Sequence, residues 1–404
     1  MPSRPFLVSI VFPGLLLTAL MACGVDAAAE PAAEIGEAAS AAGAAEAAPP
    51  IAALDGDYVS AILVDAATGM VLAAKNPDVV HQPASMLKML TELIVLERIA
   101  EGDIAMTDTV TVSARASRMG GSQVYLAHGE EFTVAELLAA LAIHSANDAA
   151  VALAEHTAGS VEAFVDIMNM RARRLGMASS EFHSVHGLPP GRGQQPDLTT
   201  ARDMAIVGRA LLDYPEALEW ASQATAPFRD GEFVLYNPNK LVGKYRGLDG
   251  LKTGYHGQAG YCVTATAVQK GVRLMSVVMG CPTDRARATE TTRLLSYGFN
   301  LYHQLPLVEE AGTPLEETVA VQDGKSREVG VLYADELVVA VPRTRDEDVS
   351  IRVELDGPVP APLAAGEKVG EAVAELDGFE LGRVDLVAAE TVEKGNWLHR
   401  LFSN

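Results

Sequence analysis

Cysteine is scarce in this chain of 404 residues, which has three: Cys23, Cys262 and Cys281. Thiols this few and this far apart build neither a disulfide framework nor a tetrahedral zinc site, so a disulfide knot and a structural zinc protein are excluded. Positive charge is also short, with 31 Lys and Arg against 53 Asp and Glu, a net charge of −22 and a pI near 4.8. A phosphate backbone needs a clustered cationic face, so no nucleic-acid partner is expected. Repeats at solenoid or propeller periods are missing. What is present is a globular composition: 49% apolar and 21% charged residues rule out disorder throughout. The length predicts two or three domains, because single cores stop growing near about 250–300 residues.

The apolar run over residues 6–22 follows one early cation, Arg4, and is broken by Pro13 and Gly14. It is short for a spanning helix, and residues 1–23 read as a secretory signal. Two processing readings stand side by side. Leu20-Met21-Ala22-Cys23 resembles a bacterial lipobox, in which Cys23 carries a lipid, while Val25-Asp26-Ala27 offers small side chains for ordinary signal removal. Either route exports the protein, to the periplasm or the outer face of the cytoplasmic membrane. Residues 24–53 are mostly Ala, Glu and Pro without a sustained apolar stripe, which makes them a tether.

Residues 54–305 read as a mixed α/β domain. Strand patterns at 58–64 and 70–74 flank the turn Ala67-Thr68-Gly69 and form an opening hairpin. A helix is expected over 84–99, apolar on nearly every face and therefore buried mid-domain. Two more helices, 134–143 and 148–156, are joined by Ser145-Ala146-Asn147. Strands at 248–253, 261–267 and 272–279 follow, the last two closed by the tight turn Lys270-Gly271. Helices bracketed by strands predict one sheet whose edges come from distant parts of the chain. From Pro306 apolar and polar residues alternate, with strands at 329–333, 337–341 and 349–353 and turns at Asp356-Gly357 and Asp377-Gly378. Residues 306–392 thus form a small all-β domain. The tail 393–404 is short and weakly amphipathic, either a membrane-surface contact or a terminus with one packed Trp397.

Three short motifs carry chemistry. Ser85-Met86-Leu87-Lys88 is the sequence's one Ser-x-x-Lys match, at the start of the buried helix. Spacing of three puts the hydroxyl and the amine on one face, one turn apart. A serine needs a base to become a nucleophile, and a lysine whose pKa is lowered by burial can supply it. The helix N-terminus adds positive potential where an oxyanion forms. In Ser145-Ala146-Asn147, either Asn147 or Asp148 N-caps the next helix, or Ser145 passes protons while Asn147 holds Lys88 and a substrate amide; both readings are compatible. Lys252-Thr253-Gly254, at the end of a strand, is either a plain turn or a cation and hydroxyl for a carboxylate, with Gly254 admitting a substrate backbone. Cys262 and Cys281 fall near each other on the predicted hairpin, and without their register a disulfide and two free thiols both stand.

The order Ser-x-x-Lys, Ser-x-Asn, Lys-Thr-Gly is the signature of penicillin-binding proteins and class A β-lactamases, a standard example of a motif set with a mechanism. The chain resembles the low-molecular-mass penicillin-binding proteins, serine-type D-alanyl-D-alanine carboxypeptidases. The likeness extends through Val185-His186-Gly187-Leu188, Thr200-Ala201-Arg202-Asp203-Met204-Ala205 and Gly247-Leu248-Asp249-Gly250, and covers nearly everything from 54 to 404. It implies a helix-flanked antiparallel sheet, β-lactamase/transpeptidase-like, followed by a β-rich domain. It implies that Ser85 attacks the penultimate D-alanine carbonyl, Lys88 takes its proton and Ser145 relays protons to the leaving amine. Asn147 would orient Lys88 and substrate, and Lys252, Thr253 and Arg287 would bind the terminal carboxylate. The backbone N–H groups of Ser85 and Tyr255 would form the oxyanion hole beside Gly254. Water would hydrolyse the acyl-enzyme with no metal or organic cofactor. The implied partners are peptidoglycan stems ending in D-Ala-D-Ala and β-lactam antibiotics that stall Ser85.

His256 and Pro238 depart from common family choices without touching the core chemistry, and His186 reads as structural rather than as a base. The rivals are a D,D-endopeptidase on cross-links, a serine β-lactamase and an inactive murein-binding protein. Class A β-lactamases use Glu-x-x-x-Asn to activate the deacylating water, and no such spacing occurs here. Retention of Ser85, Lys88, Ser145 and Lys252 speaks against an idle scaffold. Residues 306–404 hold 9 Lys and Arg against 21 Asp and Glu, so the acid excess is densest in the β-rich part. The expected pocket, by contrast, gathers Lys88, Lys252 and Arg287.

Overall fold

The computed structural model describes residues 55–395. The signal, Cys23, the tether and the tail from residue 396 lie outside the described residues. Seven α-helices are present among them: α1 Lys88–Glu101, α2 Val134–His144, α3 Asn147–Ala158, α4 Val161–Leu175, α5 Ala201–Leu211, α6 Pro215–Ala221 and α7 Asp284–Leu301.

The expected sheet forms, with edges from distant parts of the chain. Its five strands run in the order Val71–Lys75, Ser60–Asp65, Val272–Cys281, Gly260–Gln269, Leu248–His256, every neighbour antiparallel. The alternation of Ser60–Asp65 shows why it is central: Ile62 and Val64 pack into the core under α1–α5, while Ala61 and Leu63 pack on the other face against α7. The turn Lys270-Gly271 has both residues at positive φ (51° and 79°), the geometry of a tight two-residue hairpin.

Helix α1 is buried at every position from Lys88 to Leu96, as its all-round apolar pattern requires. It differs from the expectation at both ends. Ala84–Leu87 is a 3-10 turn that leads into the α-helix, and the helix runs on to Glu101, where Gly102 at φ 81° ends it. Helix α2 begins in a capping box, Thr133 and Glu136 satisfying each other's backbone N–H groups.

The β-rich part has a six-stranded sheet in the order Ser350–Leu355, Lys368–Leu376, Phe379–Ala388, Glu328–Tyr333, Pro314–Gln322, Val359–Pro360, around its own apolar core. Asp377 and Gly378, at φ 52° and 77°, make the expected turn. The pair Tyr302–Val308 and Leu337–Pro342 completes this region. The strand Tyr302–Val308 crosses position 306, because the alternating pattern starts earlier than the Pro at which it becomes visible.

Candidate active site

Ser85 sits half-buried in the 3-10 turn and Lys88 is the first residue of α1, with no exposed surface. Lys88 Nζ donates to Asn147 Oδ1 at 2.7 Å and to the carbonyl oxygen of His186 at 2.7 Å, and lies 2.9 Å from Ser85 Oγ. A neutral amine has two N–H donors and one lone pair, so with both donors spent on Asn147 and His186 the lone pair faces the Ser85 hydroxyl. Burial, and then the positive charge of Lys252, push the Lys88 amine well below the ordinary lysine range, against weaker opposing pulls from Asp197 and Asp148.

The Ser145-Ala146-Asn147 connection is built differently from the cap reading. Ala146 is the N-cap of α3, without a side-chain cap bond, and Asn147 is already helical. The Asn147 side chain is therefore free to span the site: its Nδ2 donates to Gly120 O at 2.6 Å while its oxygen accepts from Lys88. Ser145 stands at φ 64° as the C-cap of α2, and its Oγ is buried with no hydrogen-bond partner among the described residues. Asp148 holds the facing segment, its carboxylate accepting the N–H groups of Val124 and Leu126 at 3.1 Å.

Lys252-Thr253-Gly254 lies within the edge strand Leu248–His256 and not at its end, because pairing with Gly260–Gln269 continues through Tyr255 and His256. Lys252 and Thr253 are buried at 2% and 5% exposure. The neighbour that Gly254 admits is the protein's own turn: a Cβ there would stand 2.5 Å from Pro83 O and 3.1 Å from Ser85 N. Gly254 is thus what lets the strand lie against the Ser85 turn. Gly187, at φ 74°, does the same from the other side, where a Cβ would meet Ala84 O at 2.0 Å. Tyr255 is exposed and stacks on Tyr261 at 4.1 Å.

Arg287, near-buried on α7, donates to Cys262 O at 3.3 Å and to Pro238 O at 3.4 Å, and pairs with Asp284 at 2.5 Å. Its charge acts on Lys252, which places the two cations near one another. The structure thus brings Ser85 and Asn147 together through Lys88, sets Gly254 against the Ser85 turn and puts Lys252 near Arg287, while the Ser145 hydroxyl makes no hydrogen bond to any of them. The disulfide reading fails: Cys262 and Cys281 are both free and buried, packed in the cores on opposite faces of the sheet.

Three participants escaped the sequence. The His186 carbonyl, not its ring, meets Lys88; burial drives the ring pKa down to about 3, and its Nδ1 accepts the Leu188 N–H. Asp148 was read only as a cap alternative. Glu92, 3% exposed and one turn past Lys88 on α1, was passed over; the signal was the one charged residue in the mostly apolar stretch between Lys88 and Glu97. Burial pushes its carboxyl up to about 8, opposed by Lys252. Among the described residues no cluster of three or more His, Cys, Asp or Glu could hold a metal ion.

Such a set offers a hydroxyl beside a deprotonatable amine, backbone donors where the turn meets the strand, and cations for a carboxylate. The chain is matched over residues 44–283 by the family described as D-alanyl-D-alanine carboxypeptidase and over 304–394 by the penicillin-binding protein 5 C-terminal domain. It is 35% identical to the D-alanyl-D-alanine carboxypeptidase DacF of Bacillus subtilis, over 84% of this chain and 87% of that protein. Among solved structures, penicillin-binding protein 5 of Haemophilus influenzae is 33% identical with a TM-score of 0.61, covering 86% of this chain and 100% of the other. Penicillin-binding protein D2 of Listeria monocytogenes, solved in its ampicillin-bound form, is 31% identical with a TM-score of 0.56, covering 61% and 98%.

Proposed function

Because the chain belongs to the D-alanyl-D-alanine carboxypeptidase family, we propose that Ser85 is the nucleophile with which it removes the terminal D-alanine from peptidoglycan stems. The protein is a serine-type D-alanyl-D-alanine carboxypeptidase, and the observation that carries the residue roles is the Lys88 amine held between Asn147, His186 and Ser85.

Ser85 Oγ attacks the carbonyl carbon of the penultimate D-alanine, and its proton passes to the Lys88 lone pair. The oxyanion that forms is held by the backbone N–H groups of Ser85 and Tyr255, a role supported by the close approach of Gly254 to the Ser85 turn. The bond to the terminal D-alanine nitrogen then breaks, and the proton returns from Lys88 to the leaving amine through the Ser145 hydroxyl. Water attacks the Ser85 ester, one of its protons going to Lys88 and back to Oγ, which releases the shortened stem. Lys252, Thr253 and Arg287 bind the terminal carboxylate. A penicillin presents a carboxylate and a reactive carbonyl in the same arrangement, and leaves Ser85 acylated.

The catalytic domain begins at 54 and the accessory β domain runs to 392, with the boundary at the start of the strand Tyr302–Val308 rather than at 306; the separate family matches over 44–283 and 304–394 support the division. The protein works outside the cytoplasmic membrane, where its substrate is, held to the surface by a lipid on Cys23 or by its tail. The apolar run at 6–22 supports this placement. Among the described residues no helix is long and apolar enough to cross a membrane.

The test is direct. The purified enzyme releases free D-alanine from a pentapeptide ending in D-Ala-D-Ala, and gains the mass of a penicillin on the peptide containing Ser85; Ser85→Ala abolishes both. A wild-type protein that releases no D-alanine and forms no adduct would falsify the assignment.

A further inference from the structure

Asp197, in the loop before α5, is a near-buried carboxylate that the reaction as derived leaves unused. It stands across from the loop whose His186 carbonyl holds Lys88, and the two segments are tied by the paired backbones of Glu181 and Leu198. Among the described residues, every hydrogen bond to its side chain comes from that loop. Oδ1 accepts the N–H groups of His183 at 2.7 Å and Ser184 at 2.9 Å, and Oδ2 accepts the Ser184 hydroxyl at 2.7 Å. The Ser184 oxygen in turn accepts the Gly187 N–H at 2.9 Å. Gly187 packs on the Ser85 turn, where a Cβ would meet Ala84 O at 2.0 Å, and its neighbour His186 places its carbonyl 2.7 Å from Lys88 Nζ. On α1, Thr91 donates to Val185 O at 3.2 Å, which ties the loop to the helix at one point and leaves the turn that follows to Ser184. A cavity of about 250 Å³ borders His183, Ser184, His186 and Asp197, so side-chain packing does not wedge the loop there.

A serine hydroxyl has one proton to donate and two lone pairs with which to accept, whereas a carboxylate only accepts. Asp197 therefore takes the Ser184 proton and leaves the oxygen's lone pairs to the loop N–H groups. We propose that Asp197 is a positioning residue of the peptidase site, acting through Ser184 to fix the His186 carbonyl against Lys88. The inference rests on the roles of Ser85 and Lys88 proposed above. Asp197 also acts on Lys88 through space, as an anion that raises the amine's pKa against burial and the charge of Lys252. That pull opposes the neutral amine, so its removal alone would favour the base. It would also survive the loss of the Ser184 hydroxyl. The two actions of Asp197 thus predict opposite results, and only the one through Ser184 costs turnover.

The experiment measures kcat and KM on a D-Ala-D-Ala pentapeptide, with thermal unfolding, for wild type, Asp197→Asn, Ser184→Ala and the double variant. In Asp197→Asn the side-chain oxygen can still accept the backbone N–H groups, while an NH2 replaces the atom that takes the Ser184 proton. The expected result is kcat lowered about 10–100-fold in each single variant, with KM kept within about twofold, because a misplaced base costs turnover and not binding. The double variant should be no worse than Ser184→Ala, since both changes break one chain of contacts. A folded Asp197→Asn enzyme with unchanged kcat, a raised KM at unchanged kcat, or losses that multiply in the double variant overturns the proposal. If Asp197→Asn does not fold, Asp197→Glu decides, because it keeps the charge and displaces the carboxylate. Lowered kcat with KM kept then supports the proposal, and unchanged kcat overturns it. An inactive wild type would instead refute the assignment of Ser85 and Lys88, so the two failures are distinguishable.

Discussion

The Lys88 amine is held at 2.7 Å by the backbone carbonyl of His186, 98 positions further along the chain. A backbone oxygen cannot be removed by mutation, so this contact is kept by whatever holds the loop. Ser184 does part of it: its hydroxyl accepts the Gly187 N–H at 2.9 Å and donates to Asp197 Oδ2 at 2.7 Å. The Lys88 amine is thus oriented by one side chain, Asn147, and one loop.

Lys88→Met should separate chemistry from folding. Removing a general base lowers kcat/KM by about 10²–10⁴-fold, and penicillin acylation should fall with it. The buried amine gains little in the folded state as a cation, so a thioether of similar length should leave the thermal midpoint unchanged or higher. D-Alanine release and thermal unfolding on one preparation check both.

The acid limb of kcat/KM should lie well below the ordinary lysine range. Lys88 must be neutral to accept the serine proton, and burial already favours that form. Activity should therefore be lost as pH falls through the folded-state pKa of Lys88 and kept above it. A limb that tracks an ordinary lysine would place the base elsewhere.

Lys252→Met should raise KM while raising stability in a pH-dependent way. The folded-state pKa, about 7, lies below the ordinary lysine value of 10.5, so the folded protein binds fewer protons between those values. Wild-type stability contributed by this group is full above 10.5, declines as pH falls, and is lowest below about 7. The stabilising effect of Lys252→Met should accordingly be largest below pH 7 and shrink toward pH 10, which unfolding at a series of pH values will show.

Gly254→Ala places a methyl 2.5 Å from Pro83 O, against backbone that cannot swing aside. Overpacking of this kind costs about 1–3 kcal/mol. Urea unfolding should show that loss, and D-alanine release should fall further than stability does, since the strand and the Ser85 turn are forced apart.

Cys262 and Cys281 should resist alkylation in the native protein and react after unfolding without a reductant. Burial pushes their pKa values up to about 11 and about 12, so almost no thiolate exists at neutral pH. Peptide mapping after alkylation in denaturant should find both modified. A disulfide-linked peptide pair would contradict the placement on opposite sheet faces.

Much of the fold was legible because it rests on local rules. The all-round apolar pattern after Ser85 announced a buried helix, and Lys270-Gly271 and Asp377-Gly378 announced tight turns. The strands Pro314–Gln322, Lys368–Leu376 and Phe379–Ala388 were not read, since charged residues on their exposed positions blur the alternation. The cap of α3 was misread because Asn147 and Asp148 are both good caps, and nothing local says that their side chains are needed elsewhere. Gly254 was assigned to the substrate because a glycine in a strand says only that something comes close, not what.

The sequence by itself made the pair of Ser85 and Lys88 legible: they are three residues apart, and the 3-10 turn that leads into α1, like the α-helix expected there, brings hydroxyl and amine together at that spacing. It also determined the acid excess and the classes of the two folded parts, α/β and then β-rich. The tertiary structure alone decided that Asn147 and the His186 carbonyl close around Lys88, that Gly254 receives the Ser85 turn, and that Glu92 is buried. Those are contacts between elements far apart in the chain, set by how the sheet and helices pack rather than by any local pattern. The electrostatics followed from the same packing, because only burial, which no residue carries in its own identity, draws the Lys88 amine well below the ordinary lysine range and brings Lys252 to about 7 and Glu92 to about 8.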